Sequence, residues 1–237
     1  MQNGLVSIIV PCHNGAHQLT QSLQSLQAQT YSHWQAWVVG DVANVAQQFS
    51  AADPRIQCLP NTMQGGIAAS YNAGLGAAQG QYVAFCPNGA VWLPQKLAVQ
   101  LAFMQQSQAA FCYTHFMRQG VVHKPPASLN YAQFLNGGNQ VCLASAILNR
   151  QMCRNLQFSS NDCPDYALWL DLTAQGFVGQ CCPQILVQCN LNTNALKAAW
   201  QFFKVQALRQ KLPWPQAAKN FINYITQALK DKLKNAP

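Results

Sequence analysis

Residues 81–97 read Gln-Tyr-Val-Ala-Phe-Cys-Pro-Asn-Gly-Ala-Val-Trp-Leu-Pro-Gln-Lys-Leu, and the parsing of this stretch decides the fold. Tyr82-Val83-Ala84-Phe85 is a short β-rich apolar run between Gly80 and Pro87, the pattern of a buried strand. Pro94 stands where a helix is expected to begin, at a position where a missing N–H costs nothing. Strand, polar tip, tryptophan and helix start therefore follow one another. An open α/β sheet binds its ligands beyond the carboxyl ends of such strands.

The flanking sequence repeats the pattern. Val6-Ser7-Ile8-Ile9-Val10 reads as a buried strand ended by Pro11, with a turn at Asn14-Gly15. A helix over 17–29 carries Leu19, Leu23 and Leu26 on one face. Apolar strands follow at 34–39, stopping at Gly40-Asp41, and at 56–59 after Pro54. A helix rich in small residues spans 66–78, and another runs over 94–106. This alternation predicts an α/β fold with a largely parallel sheet covered on both faces. Beyond Ala109 strands are expected at 110–115 and 140–148, separated by a loop holding Lys124-Pro125-Pro126. A helix over 165–175 and a strand over 178–187, broken at Pro183, complete the sheet. The tail reads as helix, Pro213-Trp214-Pro215, helix.

A chain of 237 residues has room for one sizeable α/β domain and an appendage. Half of its residues are hydrophobic but only 8% are charged, far below the usual quarter, and all six acids are aspartates. None of the ten cysteines forms a Cys-x-x-Cys pair, so zinc-ligand spacing is absent. Reduced, buried thiols in a cytoplasmic protein are expected, and nothing near Cys181-Cys182 would lower a thiol pKa. No secretory signal and no apolar run of about 18 residues is expected. The net charge of +8 is concentrated late in the chain. From Lys197 onward eight basic residues face Asp231 alone, +7, whereas the first 196 residues carry six basic and five acidic groups, +1.

Five separated motifs carry a resemblance across about residues 5–195. They are Val6-Ser7-Ile8-Ile9-Val10-Pro11-Cys12-His13-Asn14-Gly15, Ser22-Leu23-Gln24-Ser25-Leu26 with Gln29-Thr30-Tyr31, Tyr71-Asn72-Ala73-Gly74, the 81–97 frame, and Asp165-Tyr166-Ala167-Leu168-Trp169-Leu170. In that order they resemble the family 2 glycosyltransferases of the GT-A fold, enzymes of polysaccharide biosynthesis in bacteria. The resemblance implies an inverting, hexosyltransferase-like enzyme that moves a sugar from a nucleotide-sugar, a UDP-sugar above all, to a saccharide or lipid-linked acceptor. It implies a GT-A domain over 1–195 with a helical tail over 196–237, and no nucleic-acid partner.

The same resemblance assigns the site. Asp165 takes the position of the family's general base, which removes the acceptor hydroxyl's proton. Asp41 takes the position that holds the nucleotide base, His13 that of an aromatic packed on it, Pro11 supplies backbone contacts, and Asn88 stands in the metal motif. Acids occupy only 6 of 237 positions, so two of them at the base-binding and catalytic positions is poorly explained by chance. Read without the family, Asp165 is a first-turn helix acid and Asp41 a turn residue. The departures are as specific as the matches. Asn88-Gly89 replaces the acidic pair that holds Mg²⁺ or Mn²⁺, Tyr71 an arginine, Gly40 the first aspartate, and Pro164 a glutamate. A metal-free route would need cationic help, from His13, His115 or the tail lysines. The contrasting expectation is an inactive GT-A domain serving as a binding or scaffold module.

In the tail, Leu196, Trp200, Phe203 and Ala207, then Ile222, Ile225, Leu229 and Leu233, recur at helical spacing beside Lys197, Lys204 and Lys211. Basic amphipathic helices of this kind suit peripheral contact with an anionic membrane through 196–237, and equally packing on the domain or on a second copy in a homo-oligomer.

Overall fold

The computed structural model describes residues 1–12, 16–40, 44–60, 65–159, 162–189 and 195–234. Four parallel strands, β1 (Gln2–Cys12), β2 (Trp34–Gly40), β3 (Ile56–Pro60) and β4 (Gly80–Phe85), lie in the order β3-β2-β1-β4. Val6 to Val10 are wholly buried because helices cover both faces. Val6, Ile8 and Val10 face Leu19, Leu23 and Leu26 of α1 (Ala16–Gln27) and Leu97 and Leu101 of α4 (Lys96–Ser107). Ile9 faces Ala68, Tyr71 and Leu75 of α3 (Gly66–Ala77). Ser7, buried at the strand's centre, accepts hydrogen bonds from the Gln35 side chain and from the Gly80 N–H, both at 2.8 Å, and so ties three strands together.

The second half extends this sheet with mixed directions. β4 is followed by antiparallel β9 (Ile147–Asn149), then β6 (Phe111–Arg118), β10 (Gly179–Cys189) parallel to β6, and edge strand β5 (Ala90–Trp92). β7 (Val121–His123) pairs with β6, and β8 (Ser128–Leu129) with β10. The carboxyl ends of β1 to β4, β6 and β10 consequently share one rim. Behind it sit α5 (Tyr131–Gly137) and α6 (Pro164–Ala174), whose Tyr166, Leu168, Trp169 and Leu170 are buried.

Several elements differ from the sequence expectation for identifiable reasons. The helix expected from Pro94 starts at Lys96, because the Pro94 carbonyl accepts the Thr30 N–H at 2.9 Å and the Leu93 carbonyl accepts the Gln29 side chain at 2.9 Å. The strand expected over 140–148 is a 3-10 turn, Leu143–Ser145, followed by the three residues of β9. β10 continues through Pro183 but shifts register against β6 between Cys182 and Ile185. An unexpected helix, α2 (Asn44–Ala52), buries Ala46 fully and packs Val45 and Phe49 against the core only in part, so its apolar signal is weak.

The tail forms α7 (Ala195–Lys204), a π-helical turn at Val205–Arg209 and α8 (Trp214–Lys234). It lies on α5 and α6. Gln206 donates to the Tyr166 hydroxyl at 2.7 Å and to the Leu135 carbonyl at 2.9 Å, while Asn220 donates to Gln206 at 2.9 Å. The inward stripe is Ala199, Phe202, Val205 and Ala217, so Phe203 is buried but Trp200, Leu208, Trp214 and Ile222 remain 53–69% exposed. The expected stripe is thus divided between packing and surface. No helix among the described residues is long and apolar enough to cross a membrane.

Candidate active site

The rim is assembled from strand ends. At its left side β1 ends with Pro11 and Cys12 paired to Val39 and Gly40 of β2. Gly40 has φ +142°, and a Cβ there would collide with the Cys12 carbonyl. In this conformation no side chain fits at the position where the resemblance gives the first aspartate. His13 and Asp41 lie outside the described residues.

After β4 the tip is pinned from two sides. The Cys86 N–H donates to Ile9 O at 2.9 Å, the Ala90 N–H to Pro87 O at 2.9 Å, and the Gly89 N–H to Ser22 Oγ of α1 at 3.0 Å. Gly89 has φ +87°, a conformation costly for any residue with a side chain, and Asn88 is half-buried beside it. A hard divalent cation takes several oxygens, carboxylates among them. One amide and one glycine do not fit that donor set, and no cluster of three potential ligands occurs among the described residues.

Beneath the tip, buried Trp92 lies under the Lys96 ammonium, 4.0 Å from the ring centroid. Lys96 is itself wholly buried and donates to Gln100 at 2.9 Å. Burial drives its pKa down to about 7, with Cys112, Cys86, Cys142 and Cys182 acting weakly in the other direction. Tyr71 stacks on Phe158 at 4.4 Å and meets the edge of Phe85 at 5.6 Å. Asn72 locks this aromatic cluster by donating to the Phe158 carbonyl and accepting the Phe158 N–H, each at 2.7 Å. The position the resemblance gives to an arginine is therefore a buried tyrosine plug, whose hydroxyl is pushed to a higher pKa by burial and by Asp165.

Across the rim Asp165 occupies the first turn of α6, following Pro164 and the left-handed Cys163. Its Oδ2 accepts the Asn139 amide at 2.6 Å and its Oδ1 accepts the Tyr166 N–H at 3.0 Å. An ionised carboxylate only accepts, which fixes the Asn139 Nδ2 toward it. The amide's other end, Oδ1, is buried with no hydrogen-bond partner. Burial raises the Asp165 pKa above the usual carboxylate range, while Asn139, the Tyr166 N–H and the charge of Arg118 pull it back. Asn139 was invisible in the sequence. It follows α5, whose Asn130–Gln133 capping box and Gly138 C-cap set its entry and exit, and the Gly137-Gly138 break was the one local sign of a specific loop.

Arg118, also absent from the sequence reading, ends β6 in one cross-strand row with Cys189 and Ala90. Cys142 donates to Cys189 Sγ at 3.3 Å. That contact and the Arg118 guanidinium lower the Cys189 pKa against the opposing effect of burial. His115 faces away from this row, and its pKa is lowered by burial and by Lys124. A cavity of about 500 Å³, lined by Asn3, Gln81, Gln105, Gln108 and Gln151, lies at the opposite end of the strands and contains none of these groups.

Three comparisons bear on this geometry. The family model "Glycosyl transferase family 2" matches residues 7–162. The Escherichia coli protein WfgD, named UDP-Glc:alpha-D-GlcNAc-diphosphoundecaprenol beta-1,3-glucosyltransferase, is 28% identical over 83% of this chain and 83% of its own length. WfaP of Escherichia coli, which bears the same enzyme name, is 30% identical over 73% of this chain and 71% of its own. Among solved structures, S. aureus TarS in complex with UDP superposes with TM-score 0.66 at 13% identity, covering 97% of this chain and 73% of that one. At that identity the likeness concerns the fold, which is GT-A.

Proposed function

Because the chain belongs to glycosyl transferase family 2, and is a glycosyltransferase, we propose that it inverts the anomeric centre of a nucleotide-sugar with Asp165 as general base. The observation that carries this reading is the Asp165–Asn139 pair at 2.6 Å, on the rim that also holds the 86–90 tip. An acceptor hydroxyl attacks the anomeric carbon, forming the new C–O bond. The bond from that carbon to the phosphate oxygen breaks, and its electron pair leaves on the diphosphate. The hydroxyl proton passes to Asp165. A carboxylate with a raised pKa suits the step, because base strength near the working pH helps proton transfer in the transition state. Asn139 orients the carboxylate, and its buried Oδ1 is placed to accept a second acceptor hydroxyl.

Pro11, His13 and Asp41 hold the nucleotide's base and ribose side, and Asn88 lies along the diphosphate. The donor is taken to be a UDP-sugar and the acceptor a saccharide or a lipid-linked sugar, as in the enzyme names of the two Escherichia coli relatives. Exposed Trp200, Leu208 and Trp214, with Lys211 and Lys219, would set the 196–237 tail against the inner face of the membrane, where such acceptors reside. The test is calorimetry with UDP followed by a transfer assay across nucleotide-sugars and lipid-linked acceptors. UDP binding and transfer are expected. A second reading, a domain that binds nucleotide without catalysis, is favoured by the Tyr71 plug and Gly89. Tight UDP binding without transfer from any donor would establish it.

A further inference from the structure

We propose that Arg118 supplies the positive charge that meets the leaving nucleoside diphosphate at this rim, in the place where a metal ion would act. The inference rests on the glycosyl-transfer reading and deepens it. When the anomeric C–O bond breaks, the departing phosphate oxygen takes the electron pair and gains negative charge. The tip gives this oxygen no metal-binding carboxylate, and Tyr71 gives it no cation. The compensating charge must come from elsewhere on the rim.

Strand register points to Arg118. Arg118 pairs with Cys189, and Cys189 pairs with Ala90, the residue directly after Asn88-Gly89. Residues paired in this way project to the same face of a sheet, and two strand spacings of about 4.8 Å separate Arg118 from Ala90. The guanidinium lies over the Phe116 ring, two residues back on the same face of β6, and its charge acts on Asp165, Cys142, Cys189 and Tyr224. Its planar fork matches phosphate oxygens, and its charge does not depend on pH.

The Arg118 guanidinium itself lies 5.3 Å from the Phe116 ring centroid on the same strand, and four other groups before the tail are committed away from the tip. Arg55 is bound to Asp53 at 2.8 Å. Arg150 donates to Ala78 O at 2.7 Å, at the opposite rim. The Lys96 ammonium is buried on Gln100, behind Trp92. His115 sits three residues before Arg118, on the other face of β6, beside Lys124. In the tail, Lys204 lies 3.7 Å from Asp162. Of the cationic help expected from His13, His115 or the tail lysines, His13 lies outside the described residues, and the present assignment goes to a neighbour of His115 on the opposite pleat of the same strand.

The experiment compares wild type, Arg118→Ala and Arg118→Lys in transfer and in binding of UDP and uridine. Arg118→Ala should lower kcat by about 10²-fold or more, the scale of removing one preorganised charge-stabilising donor. It should weaken UDP at least tenfold and leave uridine unchanged. Arg118→Lys should recover part of kcat, and added guanidinium should restore part of the Arg118→Ala activity. EDTA should leave wild-type kcat within twofold. Unchanged kcat in Arg118→Ala, equal loss of UDP and uridine, or a wild-type activity abolished by EDTA and restored by Mn²⁺ would each overturn the assignment. A wild type that binds no nucleotide overturns the transfer reading itself. One that binds UDP identically with and without Arg118 overturns the present inference alone.

Discussion

The donor and acceptor sides of the rim have been treated differently. On the acceptor side a carboxylate, an orienting amide and a capped loop are held together by short hydrogen bonds, with Asn139 to Asp165 at 2.6 Å. On the donor side the positions that would carry charge are Gly40, Tyr71, Asn88 and Gly89, and three of them, Gly40, Tyr71 and Gly89, are built into the surrounding structure. Gly40 presses on Cys12, Tyr71 stacks on Phe158, and Gly89 is tied to Ser22. A carboxylate cannot simply be put back at Gly40, where any Cβ meets the Cys12 carbonyl. The acceptor side keeps a carboxylate held by the Asn139 amide and the Tyr166 N–H, the arrangement on which the proposed proton transfer rests. On the proposed reading the two tasks are separated, with the base kept and the means of charge neutralisation replaced.

The largest expected effect breaks the acceptor side. Asp165→Asn should lower turnover by about 10²-fold or more while UDP affinity stays within about threefold. A raised carboxyl pKa contributes stability that is present below the usual carboxylate range and lost as pH rises through the raised value. The variant should accordingly melt no lower than wild type at pH 7, and wild-type turnover should fall with pH at a higher value than an ordinary carboxylate would give. Full turnover in the variant would remove Asp165 from the mechanism.

The donor side is probed by Gly40→Asp. Its backbone conformation alone should cost about 1–3 kcal/mol, with the collision against Cys12 added to it. The expected readout is a lower midpoint of urea unfolding and no gain in Mn²⁺-dependent UDP binding. A stable variant that acquires metal-dependent binding would show that the donor side is only a few substitutions from the usual arrangement.

Lys96 sharpens the comparison through pH. Its pKa near 7 means that the unfolded chain binds more protons than the folded one between about pH 7 and the usual lysine range. Stability should rise from pH 7 to 9, by at most about 1.4 kcal/mol per pH unit from this group. Above pH 9 the buried thiols Cys86 and Cys112, pushed up to about 12, act in the opposite sense. Lys96→Met should flatten the rise between pH 7 and 9, and a wild-type curve already flat there would refute a neutralised Lys96.

The smallest effects belong to the tail beside the acceptor side. Each lysine near an anionic surface contributes about 1 kcal/mol. Lys211→Gln with Lys219→Gln should weaken co-sedimentation with anionic vesicles at low salt, and Trp200→Ser with Trp214→Ser should weaken it further. Absence of vesicle binding by the wild type would leave the exposed aromatics without a membrane role.

Much of this molecule could be read without coordinates. The 81–97 frame, the strand at 6–10 and the leucines at 19, 23 and 26 are local patterns whose periodicity states which side is buried, and the sheet and its covering helices follow from them. Asp165 could be found because it lies inside a contiguous motif on a helix start. Asn139, Arg118 and the course of the tail could not. Asn139 is 26 residues from the carboxylate that accepts its hydrogen bond, and Arg118 shares a row with Ala90 only through three strands whose order, β6-β10-β5, departs from their order in the chain.

Sequence alone determined the α/β class, the rim on which a site would lie and the residue types missing from it, because apolar periodicity and contiguous motifs are local properties. Tertiary structure decided the rest. It turned Phe202 inward and Trp200 outward on one helix, made Gly40 unable to carry a side chain, and placed Arg118 in line with the tip. These outcomes depend on strand register, on backbone torsion and on which neighbour fills a given volume. A side chain's function at this rim is set by what stands across the sheet from it, and that is decided only when distant segments meet.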